Sequence, residues 1–131
     1  MVIEDKKNIL VVEDDPVSFK LVHELIQPYA NRITRSSNGE EALHYIRENG
    51  NYLNLVIMDI LLPKIDGIKL TKIVRESHPF LPIIGISAST QVNGNNECIK
   101  AGCNAFYQKP IDIGHFEKTI DTFLQWNPQT T

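Results

Sequence analysis

Residues 55–63 read LVIMDILLP: an apolar tetrad, an aspartate, then a second apolar run ending in proline. An unbroken apolar tetrad is what a short strand shows when both its faces are covered, and Asp59 closes this one at its carboxyl end. An aspartate amid so much apolar sequence needs a metal or a partner to offset its desolvation. NILVV at 8–12 and IIGI at 83–86 have the same character, so three central strands are expected. RITRS at 32–36 and NAFYQ at 104–108 interleave polar residues and are expected at the sheet edges.

Helical patterns fill the intervals. Val17, Leu21 and Leu25, with Val22 and Ile26, step by four and predict an apolar stripe on the first helix. Phe116, Ile120, Phe123 and Leu124 predict a similar stripe on the last. Asp15-Pro16 reads as a cap followed by a proline at the first helical position, Asn38 with Glu41 as a variant capping box, and Asp112 as the last helix's cap. Asp66-Gly67 is most simply a turn and helix start. A fourth helix is expected over roughly Gln91 to Ala101 and should be the least rigid, because Asn93, Gly94, Asn95 and Asn96 are poor helix formers. Strict strand–helix alternation implies parallel strands with right-handed crossovers and helices on both faces. The expected fold is therefore α/β, a doubly wound, flavodoxin-like (βα)5 sheet of order 2-1-3-4-5, which binds ligands beyond the carboxyl ends of its strands.

The bulk properties fit one domain over 1–131 with its core at about 8–125, since 131 residues at 42% hydrophobic content can bury a sizeable core. Thirteen basic against sixteen acidic side chains leave a charge of -3, the wrong sign for direct nucleic-acid binding. The start, MVIEDKKN, lacks the basic and apolar segments of a secretory signal, and no stretch has the length of a membrane span, so a cytoplasmic chain is expected. Cys98 and Cys103 lack CxxC spacing and a nearby histidine, which argues against a zinc site or redox pair and for packing roles.

Every polar strand end falls on one rim: Glu13 and Asp14 after the first strand, Asp59 after the third, Ser87 after the fourth, and Lys109-Pro110 after the fifth. Adjacent strands lie about 4.8 Å apart, so these side chains converge. Three close carboxylates repel one another unless a cation intervenes, and an all-oxygen set with room for water suits Mg2+. A carboxylate can accept a phosphoryl group, whose oxygens a lysine, a metal and a hydroxyl can hold. Pro110 makes a cis peptide plausible, which would aim Lys109 inward. Singly the signals are weak: acids favour helix N-termini, which accounts for Asp15, and lysines often end strands as solvated charges. Their joint placement is what points to a site.

With those residues in hand, the chain resembles the receiver domains of two-component response regulators from Asn8 to Leu124. ILVVEDDP looks like the family's acidic metal-binding turn, MDILLPKIDG its phosphoacceptor segment, GISAS its hydroxyl-bearing strand end and FYQKP its lysine-proline segment. The resemblance implies Asp59 as the phosphorylation site, Asp14 as a direct Mg2+ ligand, Glu13 as an acid acting through metal-bound water, and the Leu61 backbone carbonyl as a further ligand. It implies Lys109 as the phosphoryl partner, Ser87 as the switch hydroxyl and Phe106 as the switch aromatic, although Phe106 reads equally well as an edge-strand core residue. Leu61 and Ser89 would flank the route of the hydrolytic water and set the dephosphorylation rate. Implied partners are a histidine kinase or histidine phosphotransfer protein, and a downstream output protein or attached kinase domains. The stretch SASTQVNGNNECIKAGCNAFYQKP looks like receivers attached to hybrid sensor kinases, an origin slightly favoured over a stand-alone regulator. Phosphorylation would switch the face formed by the fourth helix, fifth strand and fifth helix, the chain catalysing nothing beyond its own phosphorylation and dephosphorylation.

Two rivals share parts of this chemistry. A flavodoxin-like cofactor binder needs a hydroxyl- and glycine-rich loop after its first strand, where this chain has three acids. A haloacid-dehalogenase-type phosphatase resembles DxDx(T/V) at the end of its first strand, where this chain reads EDDPV.

Overall fold

In chain order the elements are β1 (Asn8–Val12), α1 (Pro16–Ile26), β2 (Arg32–Ser36), α2 (Gly39–Asn49), β3 (Leu55–Asp59), α3 (Gly67–Ser77), β4 (Ile83–Ser87), α4 (Gly94–Ala101), β5 (Ala105–Gln108) and α5 (Ile113–Gln125). A computed structural model describes residues 7–88 and 94–125, the side chains of 94–96 excepted. The sheet is parallel in the order β2-β1-β3-β4-β5, as expected. Alternate residues of the central strands feed two cores. Leu10, Val12, Val56, Met58 and Ile83 pack with Ala42, Ile46, Leu70 and Val74 on one side. Ile9, Val11, Leu55, Ile57, Ile84 and Ile86 pack with Val22, Ile26, Phe116 and Ile120 on the other. Full burial of such a side chain stabilises by about 2 kcal/mol, so the doubly covered strands dominate the energetics of the fold.

The caps follow the sequence. Asp15 accepts the Ser18 N–H with Pro16 in the first turn, Asn38 accepts the Glu41 N–H, and Asp66 accepts the Lys69 N–H. Glu41 reaches back to the Ser37 N–H and hydroxyl at 2.9 and 3.1 Å, one residue beyond the partner of a standard capping box. Asp112 accepts the His115 N–H at 3.1 Å. β5 begins one residue later than expected: the Asn104 side chain accepts the Ile83 N–H at 2.8 Å, and its backbone N–H donates to the Ile83 carbonyl at 2.7 Å.

Two expectations need correction. α1 buries Val22 and Ile26, whereas Val17 and Leu21 are 77% and 49% exposed. Apolar residues lie on two faces of this helix, and spacing by four fits either. The second concerns the cysteines. Cys98 and Cys103 are joined by a disulfide, so they form a pair after all. The helix end brings them together: Cys103 N–H donates to the Cys98 carbonyl and Gly102 N–H to the Ile99 carbonyl, both at 3.0 Å, with Gly102 at φ +120°. This is the Schellman arrangement, in which residues five apart make the side-chain contact. The packing reading also stands, since both cysteines are buried and face Gly85. Of the expected fourth helix, Gln91 to Asn93 lie outside the described residues.

Candidate functional site

The register sets the rim of the sheet. Val12 pairs with Met58, Asp59 with Ile86, and Ser87 with Gln108, so Glu13, Asp59, Ser87 and Lys109 each stand at or just past a carboxyl end. The backbone holds this level beyond the strands: Ile60 N–H donates to the Ile86 carbonyl and Lys109 N–H to the Ser87 carbonyl, both at 2.9 Å. Gly67 lets α3 start directly against Ile60, its N–H donating to the Ile60 carbonyl at 2.9 Å. The Lys109–Pro110 peptide is cis.

Carboxylate oxygens of Glu13, Asp14 and Asp59 lie within 4.8 Å of one another, the acidic cluster expected from the sequence. Asp59 Oδ1 accepts the Leu61 N–H at 2.9 Å, and Oδ2 lies 3.5 Å from Lys109 Nζ. Lys109 Nζ also meets Glu13 Oε1 and Ser18 Oγ, each at 3.3 Å. Ser87 is buried at the end of β4. Phe106 is half-buried and, with Ser87, Ile60, Leu61 and Ile68, lines a groove of about 610 Å³. The Leu61 side chain is 59% exposed. Ser89 lies outside the described residues.

Two site neighbours escaped the sequence reading. From the edge strand β2, Arg35 donates to the Glu13 and Asp14 carbonyls at 3.1 Å each, and its guanidinium lies over the Phe19 ring. It thereby fixes the backbone of the acidic turn. Ser18 is the other, through its contact with Lys109. Neither belongs to a charge cluster or spacing motif, and Arg35 sits in an edge strand, RITRS, where a second exposed arginine makes it look like an ordinary solvated charge.

Burial raises the Glu13 carboxyl above its usual 4.5, and repulsion from Asp59 adds to the shift, while the Asp15 N–H and Lys109 oppose it. A raised folded-state value means the fold favours the protonated acid. The resulting stability is fully present below the unfolded value and is lost as pH rises through the folded one. In chelator, the parent should therefore lose stability relative to Glu13→Gln just above pH 4.5, as measured by urea unfolding across pH. Parallel curves for the two proteins would refute this.

An acidic cluster facing a lysine on the carboxyl rim of a parallel sheet suits an aspartate that receives a phosphoryl group. Residues 9–121 match the response regulator receiver domain, and the chain belongs to that family, the receivers of two-component signalling. It is 32% identical over 120 residues to the polar-differentiation response regulator DivK of Brucella anthropi, covering 90% of this chain and 96% of the relative. It is 36% identical over 109 residues to hybrid signal transduction histidine kinase M of Dictyostelium discoideum, covering 79% of this chain and 5% of that protein. Among solved structures it is similar to the receiver domain of Ssk1 from Saccharomyces cerevisiae, crystallised with the histidine phosphotransfer protein Ypd1. The TM-score is 0.78 at 25% identity, covering 90% of this chain and 88% of that one. Neither rival finds support in these likenesses. Among the described residues no helix is long and apolar enough to cross a membrane.

Proposed function

We propose that Asp59 accepts the phosphoryl group, from a phosphohistidine on a histidine kinase or histidine phosphotransfer protein. The observation that carries this reading is the division of labour at Asp59: Oδ1 is tied to the Leu61 N–H, while Oδ2 faces Lys109 at 3.5 Å. Oδ2 would attack phosphorus, the new O–P bond forming as the P–N bond to the donor imidazole breaks and its electron pair returns to the ring. Lys109 would neutralise charge on one phosphoryl oxygen, and the Ser87 hydroxyl would bond another.

The donor set fits a hard cation, because the clustered ligands are all oxygens, with Asp14 exposed enough to leave room for water. Asp14, Asp59 and the Leu61 carbonyl would hold Mg2+, with Glu13 acting through bound water. The ion would supply charge neutralisation for the transferring group. The chain then modifies only itself, and its change of state reaches α4, β5 and α5 through Ser87 and Phe106, for reading by an output protein or attached kinase domains. Val17 and Leu21, exposed on α1, supply apolar surface for the donor. We place this exchange in the cytoplasm, where reducing conditions would open the Cys98–Cys103 disulfide to two packed thiols.

Incubation with acetyl phosphate and Mg2+ should add one phosphoryl group, located on Asp59 by peptide mass spectrometry, and chelation should prevent it. Labelling at full rate in chelator would refute the metal-dependent reading.

A comparatively long-lived label is also expected. Hydrolysis needs a water in line with phosphorus, and Leu61 covers that approach with apolar bulk that cannot orient a water by hydrogen bonding. Leu61→Asn should therefore lose its label faster, by about 5-fold if one new hydrogen bond orients the water. An equal or slower decay would remove Leu61 from this role.

A further inference from the structure

Lys109 carries a flexible four-carbon stem, yet it is only 23% exposed and its ammonium meets three acceptors among the described residues. Two are the carboxylates of Glu13 and Asp59. The third is the Ser18 hydroxyl, at 3.3 Å. Ser18 lies in the first turn of α1, where both its N–H and its Oγ–H reach Asp15 Oδ2, at 3.0 and 2.9 Å. A serine hydroxyl has one proton and two lone pairs. With the proton committed to Asp15, the lone pairs are left for Lys109.

We propose that Ser18, oriented by Asp15, is a positioning residue that holds Lys109 Nζ in place for the arriving phosphoryl group. The inference rests on the reading of Lys109 as the phosphoryl partner. An ammonium on a long stem loses considerable rotamer freedom when fixed, and fixing it before the reaction removes that cost from the transfer step. The three acceptors are not equivalent. Asp59 Oδ2 is the atom that becomes bonded to phosphorus, so its hold on Lys109 changes during the reaction. Glu13 and Ser18 keep theirs. Of these two, Ser18 is neutral, so it locates the nitrogen without competing for its charge as a carboxylate does. Asp15 thus does more than cap α1: the same oxygen that accepts the Ser18 N–H sets the direction of its hydroxyl.

The test uses Ser18→Val and Ser18→Thr, which match in shape and differ in the hydroxyl. Two measurements are made on each and on the parent: the labelling rate with acetyl phosphate and Mg2+, and the 15N-detected ammonium signal of Lys109, which sharpens when hydrogen bonds slow its proton exchange. The expected result is a labelling rate about 5-fold lower in Ser18→Val, with a broadened Lys109 signal, and recovery of both in Ser18→Thr. A slower rate with an unchanged signal would overturn the proposal, since Ser18 would then act by another route. A broadened signal with an unchanged rate would also overturn it, because the positioning would have no bearing on transfer. Lys109→Met separates this inference from the reading beneath it. If that variant labels at the parental rate, Lys109 is not the phosphoryl partner, whatever Ser18 does to its signal.

Discussion

Asp59→Asn is expected to leave no detectable covalent label after incubation with acetyl phosphate and Mg2+. The amide is nearly isosteric, and its oxygen can still accept the Leu61 N–H that Oδ1 accepts at 2.9 Å, so the loop after β3 should keep its shape. What is lost is the anionic oxygen facing Lys109 and one charge of the metal cluster. Neither neighbouring acid can take over without rearrangement. Glu13 is only 4% exposed and already bonded through both oxygens, to Lys109 and to the Asp15 N–H. Asp14 is exposed, and among the described residues Lys109 ion-pairs with Glu13 and Asp59 rather than with Asp14, so Asp14 lacks the ammonium that would neutralise a phosphoryl oxygen. Intact-mass measurement is the readout. Full labelling of the variant would move the acceptor elsewhere on the rim.

The second large effect is on stability. A Cβ on Gly67 would lie 2.5 Å from the Ile60 Cα and 3.2 Å from the Asp59 carbonyl oxygen. These are backbone atoms of the segment leaving the central strand, so they cannot swing aside as a side-chain tip can. Gly67→Ala should cost about 3 kcal/mol and lower Tm by about 10 °C. The same displacement would move Asp59, so divalent-cation affinity should fall with stability. Calorimetry with and without Mg2+ checks both. A variant melting within a degree or two of the parent would show that the close approach is relaxed at little cost.

How much of this was legible in the sequence depended on whether a residue's role left a pattern. β1, β3 and β4 were readable because a strand covered on both faces must be apolar throughout, and Asp59 was readable because it breaks such a run. The rim followed from topology, since a parallel order of 2-1-3-4-5 leaves Glu13, Asp59, Ser87 and Lys109 at the same ends. The apolar stripe on α1 was misread because Val17 and Leu21 share the spacing of buried residues while facing outward. The cysteine pair carries no CxxC signature, because the turn that ends α4 at Gly102 joins positions five apart. Arg35 and Ser18 were illegible for a different reason. One acts on backbone carbonyls and the other through a shared hydroxyl, interactions that have no sequence period.

The outward face of α1 has an evolutionary corollary. Val22 and Ile26 are locked by the core, and truncating either should cost several kcal/mol, so folding itself polices them. Val17 and Leu21 bury little, and a surface substitution there falls within about 0.5 kcal/mol. A gene duplicate could therefore drift at Val17 and Leu21 while retaining its fold and its acceptor chemistry. Descendants of one ancestor could in this way come to answer different donors, with the helix that carries the change as firmly seated as before.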